Sequence, residues 1–124
     1  SEKVDYINAH GTSTPSGDKV EVLAIERIFE ECKRKINVSS TKSQIGHLLG
    51  AAGGVEAAYS ILCINNQKLP YTLNLENAID VKNINFIREK AMDSDINFVL
   101  SNSFGFGGTN VSLILKKFNE SKLQ

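Results

Sequence analysis

The sequence predicts an α/β fold with the element order strand–helix–strand–helix–strand–strand and a mixed sheet. Short runs of β-forming residues alternate with longer runs of helical apolar spacing along the 124 residues. A glycine-rich turn separates the last two strand-like runs, which indicates a hairpin that closes a parallel layer. Since chemistry in such sheets collects beyond the carboxyl ends of the strands, the loops that follow them are expected to converge.

The first strand–helix unit begins near the N-terminus. Residues 4–9 form the first predicted strand, and residues 10–17 form a turn-rich loop. Asp18 is suited to cap the following helix, and Glu21 completes a capping-box-like pair with it. The apolar stripe expected to face the core consists of Val20, Leu23, Ala24 and Ile28, widened by Ile25 and Phe29.

The second unit consists of a short strand at residues 36–39 and a helix at residues 45–66. Each glycine inside a helix costs about 1 kcal/mol relative to alanine, so several glycines together need an external reason. Close approach of another backbone to a face of small residues is that reason, and it predicts a central position for this helix. The glycines concerned are Gly46, Gly50, Gly53 and Gly54.

The C-terminal part of the chain is less regular. Residues 68–95 are polar, with a weak strand-like patch at residues 85–87. Residues 96–101 and 110–118 form the last two predicted strands, joined by the glycine-rich turn at residues 102–109.

Composition excludes several classes of function. The 14 basic and 14 acidic residues balance, and because no basic stripe occurs, nucleic acid is not an expected partner. The sequence has no run of about 18 apolar residues, so no membrane span is expected. The N-terminus resembles neither a signal nor a transit peptide, and the missing start methionine suggests a piece of a longer protein. A soluble protein is expected, with its compartment left open.

The two histidines, His10 and His47, both follow predicted strands and both lie beside glycines. Glycine beside a polar side chain lets a ligand approach the backbone, which favours a functional over a packing role. His47 is placed in the first turn of its helix, where the helix dipole disfavours an imidazolium. A neutral imidazole at this position is suited to donate a hydrogen bond to a developing enolate.

Lys42 lies five residues before His47, near the start of a helix, where its charge is unfavourable. Glu56 lies in an otherwise apolar stretch of small residues, and a buried carboxylate needs a partner. A Lys42–Glu56 ion pair would satisfy both side chains.

The glycine-rich turn includes Phe104, Gly105, Phe106 and Gly107. A phosphate-binding loop is excluded, because no helix and no Lys-Ser/Thr pair follow. Free backbone N–H groups in such a turn suit an oxyanion hole, whereas a tight hairpin turn explains the same glycines without any chemistry. Both interpretations stay open on the residues alone.

Neither cysteine has the surroundings of a nucleophile. Cys63 lies among apolar residues in the middle of a predicted helix, where a thiol acts as a small buried hydrophobe. Cys32 lies near the charged end of the first helix, away from the helix N-terminus or cationic pocket that activates a thiolate. Two free thiols and no metal site are therefore expected.

Three motifs together resemble the β-ketoacyl-acyl-carrier-protein synthases, and they cover nearly the whole chain. Residues 8–15, with Gly17, Asp18 and Glu21 behind them, are similar to the first histidine motif of that family. Residues 41–53 are similar to the second motif with its upstream lysine, and residues 102–110 to the C-terminal glycine loop. The details resemble the discrete synthases of the synthase II type more than multidomain enzymes.

This resemblance implies a thiolase-like fold with two similar α/β halves in a homodimer. Residues 1–124 would then form part of the C-terminal half, and the nucleophilic cysteine would lie in the N-terminal half outside this sequence. The 124 residues alone are therefore expected to be inactive.

The resemblance also implies a reaction, the elongation of acyl-carrier-protein-bound acyl groups by decarboxylative Claisen condensation with malonyl-carrier protein in fatty acid biosynthesis. His10 and His47 would hold the malonyl thioester oxygen, supported by Lys42 and Glu56, and His10 would also activate a water. No cofactor is implied, and the compartment would be a bacterial cytoplasm or a plastid-type stroma. Thr12 and Thr14 would bind the pantetheine arm. The Phe106 N–H, with Gly105 and Gly107, would form part of the oxyanion hole. Phe104 and Phe106 would act as an acyl gate.

Three alternatives remain beside this interpretation. A non-catalytic subunit of the chain-length-factor kind would have lost catalytic residues, whereas both histidines are present here. A second alternative is that the chain is a structural fragment without activity of its own, which would be a property of the isolated chain rather than of the complete enzyme. A thiolase or an initiating synthase is disfavoured because the second motif carries His47 where initiating enzymes have asparagine.

Overall fold

A five-stranded mixed sheet organises residues 2–119, the part of the chain that the computed structural model describes. The long helices lie on either side of it, and short 3-10 turns occupy Leu49–Ala51 and Phe106–Gly108. In chain order the elements are β1 Tyr6–Asn8, α1 Pro15–Phe29, β2 Ile36–Ser39, α2 Lys42–Ile45, α3 Ala52–Asn66, β3 Lys68–Leu69, β4 Ile84–Phe86, β5 Met92–Asp93, β6 Phe98–Phe104 and β7 Asn110–Lys116.

The strand order in the sheet is β4-β2-β1-β6-β7, which places the first strand of the chain at its centre. Strands β4, β2, β1 and β6 run parallel, and β7 closes the edge as an antiparallel hairpin partner of β6. The predicted α/β order with a mixed sheet is therefore confirmed. The weak patch became β4, while the small antiparallel pair β3–β5 was not predicted, because each of its strands has only two residues.

Two apolar clusters cover the two faces of the sheet, because side chains alternate along each strand. Ile7 and Val38 face α1, where they pack with Ile25 and Phe29. Tyr6 faces the opposite side and joins the cluster that contains Cys63 and Ile64 of α3. The sheet is thus covered on both faces near the ends of β1 and β2, as a parallel sheet requires.

Helix α1 begins at Pro15, and its N-cap is Thr14 rather than the predicted Asp18. Proline fits there because its missing N–H would have no partner in the first helical turn. The Asp18 carboxylate instead accepts a hydrogen bond from the Ser13 backbone N–H at 3.2 Å. Glu21 is buried one turn further along and caps no helix, so the predicted capping box was wrong.

Only two of the six residues predicted for the core stripe of α1 are buried. Ile25 and Phe29 are buried as expected, but Val20, Leu23 and Ile28 are 66%, 51% and 63% exposed. Helix α1 carries apolar residues on two faces, so periodicity alone did not decide which face meets the sheet. The buried face is the one that carries Glu21, whose carboxylate has partners there.

The predicted helix over residues 45–66 is interrupted. Gly46 ends α2 with φ +80, and the continuous helix starts only at Ala52. Close packing explains Gly53, where an added Cβ would lie 3.2 Å from Ser103 Oγ, but the space around Gly50 and Gly54 is open within residues 2–119. No helix in this described part of the chain is long and apolar enough to cross a membrane.

Gly11 is a position where a side chain should destabilise the folded state. Its φ is +37, and an added Cβ would lie 2.7 Å from Ser40 Cβ, across the gap between two of the loops. We expect Gly11→Ala to lower the free energy of unfolding, measured by urea denaturation, through both backbone strain and this clash.

Gly107→Ala is the matched control, because Gly107 has left-handed backbone angles, φ +76 and ψ 10, but open space around it. Its cost should be the backbone term alone, about 1–2 kcal/mol, and Gly11→Ala should exceed it by about 1–3 kcal/mol for overpacking. Equal losses in the two variants would contradict a role for the Ser40 contact.

Candidate active site

The three polar loops meet at the carboxyl edge of the sheet, as the sequence predicts. The rings of His10 and His47 are nearly perpendicular, with their centroids 5.6 Å apart. The Phe104 ring at the end of β6 lies 5.6 Å from the His10 ring. Residues 37 positions apart in the sequence therefore place two imidazoles within reach of one small ligand.

His10 follows β1 by two residues and is half-buried. Burial lowers the pKa of its imidazole, and the Lys42 ammonium lowers it further, while Glu21 and Asp18 act weakly in the opposite direction. The neutral imidazole is therefore the favoured form at neutral pH. Its Nδ1 atom is buried and has no hydrogen-bond partner among residues 2–119.

His47 does not lie in the first turn of a long helix, so that part of the prediction was wrong. It lies between α2 and the 3-10 turn that starts at Leu49. The Leu49 backbone N–H donates a hydrogen bond to His47 Nδ1 at 3.2 Å. A neutral imidazole that accepts at Nδ1 carries its proton on Nε2, so the exposed side chain presents an N–H donor to the site.

Lys42 and Glu56 form the buried ion pair that the sequence predicts. Their side chains are only 4% and 1% exposed. Burial raises the pKa of the Glu56 carboxyl, and the Lys42 ammonium opposes that rise. The Glu56 Oε2 atom is buried without a partner among the described residues, so Lys42 is the one charged group in hydrogen-bond contact with this carboxylate there.

Glu21 is a site residue whose position the sequence interpretation missed. Its two carboxylate oxygens accept hydrogen bonds from the backbone N–H groups of His10 and Gly11, both at 2.9 Å. One oxygen also accepts from the Asn102 side-chain amide at 3.1 Å, and Asn102 in turn accepts from Ser112. The carboxylate therefore holds the backbone of the first histidine loop against the last two strands.

A signal for Glu21 was present in the sequence. Glu21, Ile25 and Phe29 follow one another at intervals of four residues, so all three share one face of a helix. Since Ile25 and Phe29 are expected in the core, a carboxylate in the same row requires buried donors. The capping-box interpretation of Glu21 obscured that requirement.

The glycine-rich loop is a tight turn in which not every N–H is free. The Gly105 N–H donates to the Thr109 carbonyl at 2.9 Å, so Gly105 is not an oxyanion donor here. Gly107 has φ +76 inside the 3-10 turn. The Phe106 side chain is fully exposed, while Phe104 lies against His10.

A cleft of about 430 Å³ opens beside His47, which is one of its lining residues. Its polar lining includes Thr12, Lys42 and Ser43, and apolar side chains form the rest of the wall. The Thr12 hydroxyl lies 3.3 Å from the hydroxyl of Thr14, which does not line the cleft. The residues of the apolar wall include Val22, Ile25, Val38 and Phe86.

The two cysteines stay outside this site. Both are free thiols, with Cys63 buried and Cys32 half-buried. Burial raises the pKa of the Cys63 thiol to about 11, so this thiol remains protonated at neutral pH. Neither residue lines the cleft beside His47.

Comparison with known sequences identifies relatives. A family model described as "Beta-ketoacyl synthase, C-terminal domain" matches residues 1–76. The chain is 50% identical over 116 residues to 3-oxoacyl-acyl-carrier-protein synthase 2 of Coxiella burnetii, which covers 94% of this chain and 28% of that protein. It is 53% identical over 115 residues to the enzyme of the same name from Rhizobium meliloti, with coverages of 93% and 27%. The chain thus spans less than a third of the length of these relatives.

Solved structures give the same result. The chain matches the ishigamide ketosynthase/chain length factor with a TM-score of 0.88 and 31% identity, over 95% of this chain and 29% of that one. It matches a β-ketoacyl synthase from Burkholderia phymatum with a TM-score of 0.81 and 38% identity, over 94% and 28%. These matches confirm the thiolase-like α/β fold class predicted from the sequence.

The buried ion pair should make stability depend on pH when its cation is removed. Lys42→Met leaves Glu56 buried without its cation, which we expect to lower the free energy of unfolding by about 3–5 kcal/mol near neutral pH. Burial alone then raises the pKa of Glu56, so the folded state retains a proton that the unfolded state releases. Stability therefore falls as pH rises above about 4.3, the unfolded value, until the folded pKa is passed.

Urea denaturation of Lys42→Met at about pH 5 and at about pH 8 measures this effect, with the larger loss expected at the higher pH. The double variant Lys42→Met/Glu56→Gln is the control, because it has no buried carboxyl to titrate and should regain stability at the higher pH. Equal losses of the single variant at both pH values would contradict the pairing.

Proposed function

Because the chain belongs to the β-ketoacyl synthase family, we propose that it supplies the malonyl-handling part of a condensing site. The complete enzyme would be a 3-oxoacyl-acyl-carrier-protein synthase of the synthase II type, active in fatty acid biosynthesis. Residues 1–124 would form part of the C-terminal thiolase-like domain of that enzyme. The observation that carries this proposal is the pair of imidazoles, His10 and His47, whose ring centroids are 5.6 Å apart.

The two histidines are proposed to stabilise an enolate. When the malonyl carboxylate leaves as carbon dioxide, the electrons of the broken C–C bond move onto the thioester and place negative charge on its oxygen. Neutral imidazole N–H groups directed at this oxygen stabilise the charge without first losing a proton. The His47 tautomer, with its proton on Nε2, and the lowered pKa of His10 both support this role.

Lys42 and Glu56 are proposed to support the histidines. The Lys42 ammonium favours the neutral form of His10 and contributes positive potential near the developing enolate. Glu56 holds this ammonium in place within the protein. The pair thus acts through position and charge.

The remaining roles concern the acyl-transfer steps. The Phe106 N–H is proposed as one oxyanion donor, beside the N–H of a nucleophilic cysteine in the other part of the enzyme. Phe104 and Phe106, next to Gly105 and Gly107, are proposed as a gate to the acyl pocket. The contact of Phe104 with His10 and the full exposure of the Phe106 side chain support this gate role.

Acyl carrier protein, loaded with acyl or malonyl groups, is the proposed partner. One structural neighbour is a type II polyketide synthase ketosynthase in complex with its acyl-carrier protein, at 30% identity to this chain. Thr12 at the cleft wall, with Thr14 beside it, is proposed to bind the pantetheine arm. The complete enzyme is proposed to be a homodimer that needs no metal or redox cofactor.

A chain-length-factor-like subunit is the second candidate, because some structural neighbours contain such subunits. The presence of both histidines, with the supporting ion pair intact, favours the catalytic role.

The histidine roles lead to a test in the complete synthase that carries this chain. We expect His10→Ala and His47→Ala each to slow release of carbon dioxide from malonyl-carrier protein by at least about a hundredfold, because each removes a donor to the enolate oxygen. Transfer of an acyl group to the cysteine should remain within about threefold of the unaltered enzyme, because it does not use the enolate site. Lys68→Ala, at an exposed surface pair, is the control and should change neither step. Unimpaired decarboxylation in both histidine variants would refute the assignment.

The cysteine environments lead to a second test, on the 124 residues alone. Incubated with acyl-carrier protein, they should acquire no acyl group, because Cys63 is buried with a raised pKa and Cys32 lies away from the site. Intact-mass spectrometry would detect a single acyl addition. An acyl group found on Cys32 or Cys63 would overturn the proposal that the nucleophile lies elsewhere.

A further inference from the structure

We propose that Asn8 and Thr41 act as positioning residues, which hold the backbones of Lys42 and Glu56 in register with the His10 loop. This inference rests on the function proposed above. The contact between Asn8 and Thr41 lies at the carboxyl end of β1 and includes neither imidazole.

Asn8 is the last residue of β1 and is 1% exposed. Its Oδ1 atom lies 3.4 Å from the Thr41 backbone nitrogen and 3.3 Å from the Thr41 hydroxyl. Its Nδ2 atom lies 3.3 Å from the same hydroxyl and 3.5 Å from the Glu56 carbonyl oxygen. One amide group therefore contacts the residue before Lys42 and the backbone of the ion-pair partner of Lys42.

The chemistry of these contacts favours an amide. The Thr41 N–H needs an acceptor, whereas the Glu56 carbonyl needs a donor, and asparagine offers both on one short side chain. An aspartate could accept from Thr41, but its oxygen would face the Glu56 carbonyl with no proton to donate. It would also add a negative charge to a buried region that already contains the Glu56 carboxylate, which is costly.

The consequence for the site is geometric. The ion pair joins Lys42 and Glu56 only at the ends of two long, flexible side chains, which leaves their backbones free to shift. Asn8 contacts the backbone on both sides of that pair, and it precedes His10 by two residues. A shift of β1 relative to α2 or α3 would therefore break contacts to Asn8 before it could separate His10 from Lys42.

Ser60 provides a matched comparison for a role in stability alone. Its hydroxyl is completely buried and donates to the same Glu56 carbonyl at 2.8 Å. Ser60 lies one helical turn beyond Glu56 and lines no part of the cleft. Removal of its hydroxyl thus takes away a hydrogen bond within α3 and none to β1 or α2.

The test uses Thr41→Val, Thr41→Ser, Asn8→Asp and Ser60→Ala in the complete synthase, with decarboxylation of malonyl-carrier protein and acyl transfer to the cysteine measured separately. Thr41→Val keeps the shape and the backbone N–H but loses the hydroxyl, and it should slow decarboxylation by roughly tenfold or more while acyl transfer changes less than about threefold. Thr41→Ser restores the hydroxyl and should return decarboxylation to within about threefold of the unaltered enzyme. Asn8→Asp should slow decarboxylation at least as much as Thr41→Val, and Ser60→Ala should leave both rates unchanged.

Wild-type decarboxylation by a folded Thr41→Val enzyme would overturn the inference, as would an equal loss in Ser60→Ala or a failure of Thr41→Ser to restore the rate. If Asn8→Asp does not fold, the two Thr41 variants decide the question. A synthase whose unaltered form releases no carbon dioxide would refute the proposed function and this role with it. An active unaltered enzyme with an equally active Thr41→Val variant would refute the positioning role alone.

Discussion

The buried ion pair between Lys42 and Glu56 is the constraint on which the site depends. Burying two charged side chains costs free energy unless they pair with good geometry. The chain must therefore hold α2 and α3 close enough for Lys42 and Glu56 to meet. The Gly46 break between the two helices allows that approach, because a continuous helix would keep the residues on one rigid axis. The same break releases His47 from helical geometry, so that its Nδ1 can accept from Leu49 and its Nε2–H can face the cleft. The backbone break at Gly46 thus serves both the ion pair and the contact of His47 with Leu49.

Glu21 and Glu56 are two buried carboxylates that obtain their partners in different ways. Glu56 faces an ammonium, whereas Glu21 accepts from two backbone N–H groups and an asparagine amide. Each carboxylate orders the neighbourhood of one element of the site: Glu56 orders Lys42, and Glu21 orders the loop that carries His10. Burial and the Lys42 ammonium both lower the pKa of His10, while the Glu21 carboxylate opposes that shift.

The sequence predicted what depended on local pattern and chemical need. The strand–helix order, the two histidines at neighbouring loops and the Lys42–Glu56 pair all follow from periodicity and from the cost of burying a lone charge. The exposed face of α1 was mispredicted, because Val20 and Leu23 are as apolar as the residues that meet the sheet. The Asn8–Thr41 contact joins residues that are 33 positions apart, so only the assembled sheet reveals it. The roles of the glycine-rich loop stay predictions, because they require groups from outside this chain.

The central position of β1 has a consequence for how the protein is made. On one side β1 pairs with β2, which follows after about thirty residues, but on the other side it pairs with β6, in the register Tyr6 to Val99. The Asp5 carboxylate accepts from the Asn97 and Phe98 N–H groups across the same long separation. Contacts between such distant segments form slowly, because a large loop must close first. On the ribosome, the strand that precedes His10 therefore waits with one edge unpaired until the residues of β6 have emerged, and a chaperone that shields this edge during synthesis would protect the nascent chain from aggregation.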